Sequence, residues 1–154
     1  MISRPTRVHL AASAAEGITP LNAFDNALMK IGLADYNLVK VTSVFPPGAR
    51  LVDEVDLPEG SLVPCVYTSL TGREKGERIG AAIGLGMPGD PRLPGVVMEF
   101  SGRCSAGEAQ EETKRMVIDA MYRRHTEKYE MKFAAVEHEV ESCGCVVSIL
   151  LLLP

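Results

Sequence analysis

The sequence has little of what marks several large classes of protein. The apolar stretch Val146 to Leu153 falls well short of the roughly 20 residues that a bilayer-crossing helix needs, which argues against a membrane partner. No basic patch stands out, and 16 Lys and Arg against 20 Asp and Glu leave a formal charge of -4, so a nucleic-acid partner is not expected. The charge tolerates a cationic small molecule without requiring one. Only four cysteines occur, Cys65, Cys104, Cys143 and Cys145, and the Cys-Gly-Cys pair is one residue tighter than Cys-x-x-Cys. With no paired His/Cys spacing, no metal is expected. The segment Val8 to Ala15 is broken by His9 and Ser13 and makes a poor secretory signal. The reading is a cytoplasmic protein with free thiols.

What is present is an ordinary globular composition, 46% apolar and 23% charged over 154 residues, which fits one domain spanning residues 1–154. Arg7 to Ala12 reads as a strand. Thr19-Pro20 offers an N-cap and a first-turn proline for a helix over Leu21 to Ile31, closed by Gly32. Asn37 to Phe45 is a β-branched run with Val39, Val41, Ser43 and Phe45 on one face and Lys40 and Thr42 on the other, ended by Pro46-Pro47. Residues 47 to 60 read as a long surface loop. Leu62 to Leu70, Glu77 to Met87 and Gly95 to Ser101 follow as strands. Ser105 and Glu108 form a capping box that opens a polar helix to about Tyr129. Met131 to Glu141 and Cys145 to Leu152 close the chain. Two helices among so many strands are too few for a doubly wound sheet. The pattern therefore predicts an α+β fold of mostly antiparallel sheets with helices packed outside, an αββα-type sandwich.

Several motifs invite a functional reading. Gly84-Leu-Gly86-Met-Pro-Gly89 is a literal G-x-G-x-x-G, but Asp90-Pro-Arg-Leu-Pro that follows cannot supply the helix that such a phosphate cradle requires. A strand end and turn is the better reading. The three histidines are scattered and read as structural or surface residues, while Arg123-Arg124-His125 suits the negative end of a helix dipole. Asp25 sits beside an apolar stripe of Leu21, Phe24 and Leu28. Glu99 interrupts Gly95-Val-Val-Met-Glu-Phe100 on the face of Val97. A carboxyl held beside apolar groups titrates higher, as a general acid near neutral pH requires. An edge-strand charge explains Glu99 equally well.

Read together, Glu16-Gly-Ile-Thr-Pro-Leu-Asn-Ala-Phe-Asp25, Asn37-Leu-Val-Lys-Val-Thr-Ser-Val-Phe-Pro-Pro47, Val97-Met-Glu-Phe100 and Ala135-Val-Glu-His138 resemble the pyruvoyl-dependent arginine decarboxylase family. The second block is the most specific. Decarboxylating an amino acid leaves a carbanion that no ordinary side chain delocalises, so an electrophilic carbonyl is needed. Pyridoxal phosphate would need a lysine anchor and a phosphate cradle, and the one glycine-rich candidate fails on context. The resemblance implies that the Ser43 hydroxyl attacks the carbonyl of Thr42. The chain would then divide into residues 1–42 and 43–154, with a covalent pyruvoyl cofactor derived from Ser43. It further implies a Schiff base with arginine, protonation by Glu99 to give agmatine, pairing of Asp25 with the guanidinium, and help in self-processing from Asn37. Thr42 stands where some relatives have serine, which matters little because only its carbonyl carbon is attacked. Decarboxylation of a different amino acid, or an uncleaved relative that only assembles, are the competing readings.

Spacing adds a constraint. In one straight strand Asn37 and Ser43 would lie roughly 20 Å apart at ~3.3 Å per residue. Either the chain bends or neighbouring subunits share the site. The second alternative matches the trimers, or pairs of trimers, that the resemblance implies, with Asn37 and Asp25 expected to reach a neighbouring subunit's Ser43.

Overall fold

A computed structural model describes residues 3–154 as an α+β sandwich of two sheets with one helix on each outer face. Strands β1 (Arg7–Glu16), β2 (Asn37–Lys40), β4 (Arg50–Leu51), β5 (Leu62–Gly72) and β9 (Gly144–Leu153) form one sheet in the order β2-β5-β9-β1-β4. Strands β3 (Val44–Phe45), β6 (Arg78–Pro88), β7 (Gly95–Gly102) and β8 (Tyr129–Glu139) form the other, ordered β3-β7-β6-β8. Pairing is mostly antiparallel, with β1/β4 and β2/β5 the two parallel exceptions.

The period-2 geometry of a strand explains how β9 serves two cores at once. Val147, Ile149 and Leu151 join Ala27, Leu28 and Cys65 beneath helix α1 (Pro20–Lys30), while Leu150 meets Val66, Ile83, Leu85 and Val97 between the sheets. Both faces are covered, so the sequence of β9 is a nearly unbroken apolar run. Its one polar interruption, the fully buried Ser148, donates its hydroxyl to the Ala134 carbonyl of the opposing sheet at 2.9 Å.

Both helix starts follow their local chemistry. The Thr19 hydroxyl accepts from the Asn22 amide, and the Ser105 hydroxyl accepts from the Glu108 amide at 3.1 Å. Helix α2 (Ala106–Arg123) packs Val117 and Met121 against Val96 of the second sheet. Gly84 and Gly86 of β6 make that approach possible. A Cβ on Gly84 would stand 3.0 Å from Thr113 Oγ1, and one on Gly86 would stand 2.9 Å from Val117 Cγ1. The G-x-G-x-x-G is therefore a flat strand under a helix, followed by a turn.

The structure corrects four expectations. Helix α2 stops at Arg123, and Tyr129 already belongs to β8. His125 turns left-handed at φ 56°, and the amides of His125 and Thr126 bond back to the carbonyls of Tyr122 and Met121. Those two bonds make a helix end usually served by glycine, in a chain without glycine there. In α1 the buried stripe is Ala23, Ala27 and Leu28, whereas Leu21 is 75% exposed. The stretch 47 to 60 is not all surface loop, because β4 pairs with β1 and Val55 and Leu57 pack on the core beneath α1.

The run Asn37 to Phe45 is likewise not one strand. Residues 37–40 pair with Leu62–Cys65 at one edge of the first sheet, whereas Val44 and Phe45 pair with Val96 and Gly95 at the edge of the second. Val41, Thr42 and Ser43 carry the chain from sheet to sheet. Phe45, 4% exposed between the layers, anchors the far side, where its burial contributes about 2 kcal/mol. Pro46 then stops β3 after two residues.

Candidate active site

Ser43 lies in this crossover, outside either strand, and its carbonyl accepts a 2.9 Å hydrogen bond from the amide of Val97. Two residues further along β7, on the same face as Val97, stands Glu99. β3 covers only the first residues of β7, so the flank of β7 at Glu99 is left to side chains. Thr42 is exposed, and Ser43 is half-buried.

Glu99 is not in the apolar surroundings that its sequence neighbours suggested. The Lys40 ammonium of β2 lies 3.2 Å from Glu99 Oε1 and also 4.8 Å from the centre of the Tyr67 ring. Glu99 Oε2 is buried and has no hydrogen-bond partner among the described residues. Behind this group, burial pushes the Cys65 thiol up to about 11, with the Glu99 charge adding to the rise and Lys40 opposing it. A thiol so protonated is no nucleophile near neutral pH.

Asp25 and Asn37 meet elsewhere, on the walls of an open cleft of about 480 Å³ between α1 and the start of β2. Phe24 and Tyr67, with ring centres 5.8 Å apart, line the same cleft. Asp25 is exposed there. The Asn37 side-chain amide donates to the Gly60 carbonyl at 2.8 Å, leaving its second N–H and its oxygen for other partners. Ser43 and Glu99 do not line this cleft. Tyr67 is the residue the two groups share.

Comparison with known proteins adds to this geometry. Residues 7–154 match the family described as pyruvoyl-dependent arginine decarboxylase (PvlArgDC). Proteins of that name are similar to this chain along most of their length. The one from Methanocaldococcus jannaschii is 41% identical over 92% of this chain and 86% of its own. The one from Thermococcus kodakarensis is 38% identical over 97% and 96%. The chain belongs to the pyruvoyl-dependent arginine decarboxylase family. The resemblance drawn from four short sequence blocks is thus borne out over nearly the whole chain.

Within this family member, the tertiary structure gathers the predicted residues in two sets rather than one. Thr42, Ser43 and Glu99 stand where the sheets exchange the chain, and Asp25 and Asn37 stand in the α1 cleft. The bend that the spacing argument allowed is present, but it comes too late to unite them. Asn37 to Val41 remain extended along β5, with the Val41 amide still bonded to Cys65, which keeps Asn37 about 13 Å from Val41. Sequence reasoning overlooked Lys40 and Tyr67. A lysine two residues before Thr42, on its face of an extended run, is the signal that could have directed attention to Lys40. Tyr67 has no such mark, because its place depends on the pairing of β5 with β2. Among the described residues, no group of three His, Cys, Asp or Glu gathers as a metal-ligand set. Among the described residues, no helix is long and apolar enough to cross a membrane.

Proposed function

We propose that this chain is an arginine decarboxylase that cleaves itself after Thr42, converts Ser43 to a pyruvoyl group, and forms agmatine and carbon dioxide. The observation that carries the reading is the place of the Thr42–Ser43 bond. It lies in the crossover between β2 and β3, outside either strand, with the Ser43 carbonyl fixed by Val97 on the strand that bears Glu99. A bond inside a ladder could not reorganise without breaking that ladder, whereas this one can.

In the processing reaction the Ser43 hydroxyl adds to the Thr42 carbonyl carbon, and the C–N bond breaks to leave an ester and a free amine. Loss of the residue 43 α-proton expels the Thr42 carboxylate and leaves dehydroalanine. Addition of water then releases ammonia and leaves a ketone. The residues present fit that ketone: Ser43 is half-buried, its backbone is held on one side, and an unpartnered carboxylate oxygen lies on the adjoining strand. A ketone there supplies an electrophile for the substrate amine and a sink for the electron pair left by carbon dioxide.

The other residues take roles suited to their chemistry. Asp25, an exposed carboxylate on a cleft wall, accepts two hydrogen bonds from the planar guanidinium. Glu99 holds the proton that replaces carbon dioxide on the α-carbon. Asn37 donates to the oxyanion formed at Thr42 during cleavage. Since Asn37 is held extended away from its own Ser43, the donor comes from a neighbouring subunit, and the active sites of a trimer or dimer of trimers lie between chains. Denaturing mass spectrometry tests the processing step, with fragments 1–42 and 43–154 expected, the latter blocked at its first residue. A single chain after long incubation would remove the reading. Mixing uncleaved Ser43→Ala and Asn37→Ala chains should restore cleavage in mixed oligomers, and none would return if each chain builds its own site.

A further inference from the structure

The Lys40–Glu99 pair joins the two sides of the Thr42–Ser43 bond. Lys40 lies in residues 1–42 and Glu99 in residues 43–154. Its geometry is specific: Nζ is 3.2 Å from Oε1, while Oε2 is buried without a partner. The ammonium is held in turn by the face of Tyr67, 4.8 Å away, and Tyr67 packs on Phe24 in the cleft that also carries Asp25. A free carboxylate could turn about its last bond and present either oxygen to solvent or site. Here one oxygen is occupied by a cation, so the other is the one offered to the site. The Lys40 side chain is 49% exposed against 31% for Glu99, so it stands on the solvent side of the pair.

We infer that Lys40 is a positioning residue for Glu99, by which the small fragment remains a working part of the site after cleavage. It fixes the carboxyl so that Oε2 faces the carbon to be protonated, and Tyr67 couples that placement to the substrate cleft. The inference rests on the assignment of Glu99 as the proton donor. Lys40 touches neither substrate nor the ketone, and its effect passes through Glu99.

Lys40→Met keeps the length of the stem and removes the charge. It is expected to cleave normally on denaturing mass spectrometry, to keep KM for arginine within about threefold, and to lose kcat by roughly ten- to hundredfold, the scale of a misplaced catalytic group. Lys40→Arg should recover most of that kcat. Adding Lys40→Met to Glu99→Gln should cost little beyond Glu99→Gln alone, because residues acting through one another are not additive. Unchanged kcat in Lys40→Met would overturn the inference, as would failure of that variant to cleave, which would assign Lys40 to processing instead. Fully additive losses in the double variant would overturn it while leaving Glu99 as proton donor. Full kcat in Glu99→Gln would instead remove the donor assignment itself.

Discussion

The amide of Val97 donates a 2.9 Å hydrogen bond to the carbonyl of Ser43, tying the crossover to the strand that carries Glu99. Both partners are backbone groups, so Ser43→Ala should keep this bond and the fold while losing the hydroxyl proposed to attack Thr42. The expected product is one uncut chain of ordinary stability without arginine decarboxylation. Residues 1–42 and 43–154 appearing from that variant on denaturing mass spectrometry would exclude Ser43 as the attacking group.

Asp25 is exposed in the middle of α1, away from its cap and its buried stripe of Ala23, Ala27 and Leu28. Asp25→Asn should therefore change stability by no more than about 0.5 kcal/mol and leave cleavage intact. Loss of a charge-assisted hydrogen bond of about 1.5–3 kcal/mol should raise KM for arginine roughly ten- to hundredfold. Steady-state kinetics decide the matter, and an unaltered KM would detach Asp25 from the guanidinium.

Glu16 clamps the end of β1 to the turn between β8 and β9. It accepts from the amides of Ser142 and Cys143 at 2.7 and 3.0 Å and lies 2.6 Å from His138 Nε2. Burial pushes its carboxyl up, but the bonds from His138, Ser142 and Cys143 outweigh this and bring it from the usual 4.5 down to about 2. A lowered carboxyl stabilises the fold above its unfolded value and ceases to do so as pH falls from about 4.5 towards 2. Glu16→Gln should cost about 2 kcal/mol at pH 7 and progressively less below pH 4, measured by urea unfolding. An equal cost at both pH values would contradict the clamp.

Gly86 faces α2, where an added Cβ would lie 2.9 Å from Val117 and 3.0 Å from Met121, whereas the nearest atom to a Cβ on Gly89 is 3.8 Å away. Gly86→Ala should destabilise by about 1–3 kcal/mol through overpacking, and Gly89→Ala should be close to neutral. Thermal unfolding of the two variants makes the comparison. Equal effects would mean that helix packing does not account for Gly86.

Much of this architecture was legible from short-range chemistry. Thr19 and Ser105 announce their helices because a cap bonds within three residues. The long strands announce themselves through alternation or, in β9, through its loss. The family was legible for a related reason: the Ser43 block and the carboxylates at 25 and 99 are sequence patterns, independent of how the sheets are arranged.

The sequence by itself determined the fold class, the family and the identity of the serine, asparagine and carboxylates that carry its pattern. Only the tertiary structure decided that Asn37 to Phe45 divides between two sheets. A single β-branched run does not reveal which sheet edge each half will meet, and Phe45 finds its burial across the sandwich rather than beside β5. The same folding decided that Lys40 meets Glu99 and Tyr67. Those residues, 59 and 27 positions away in the chain, become neighbours of Lys40 through strand pairing and sheet packing, which no local periodicity encodes.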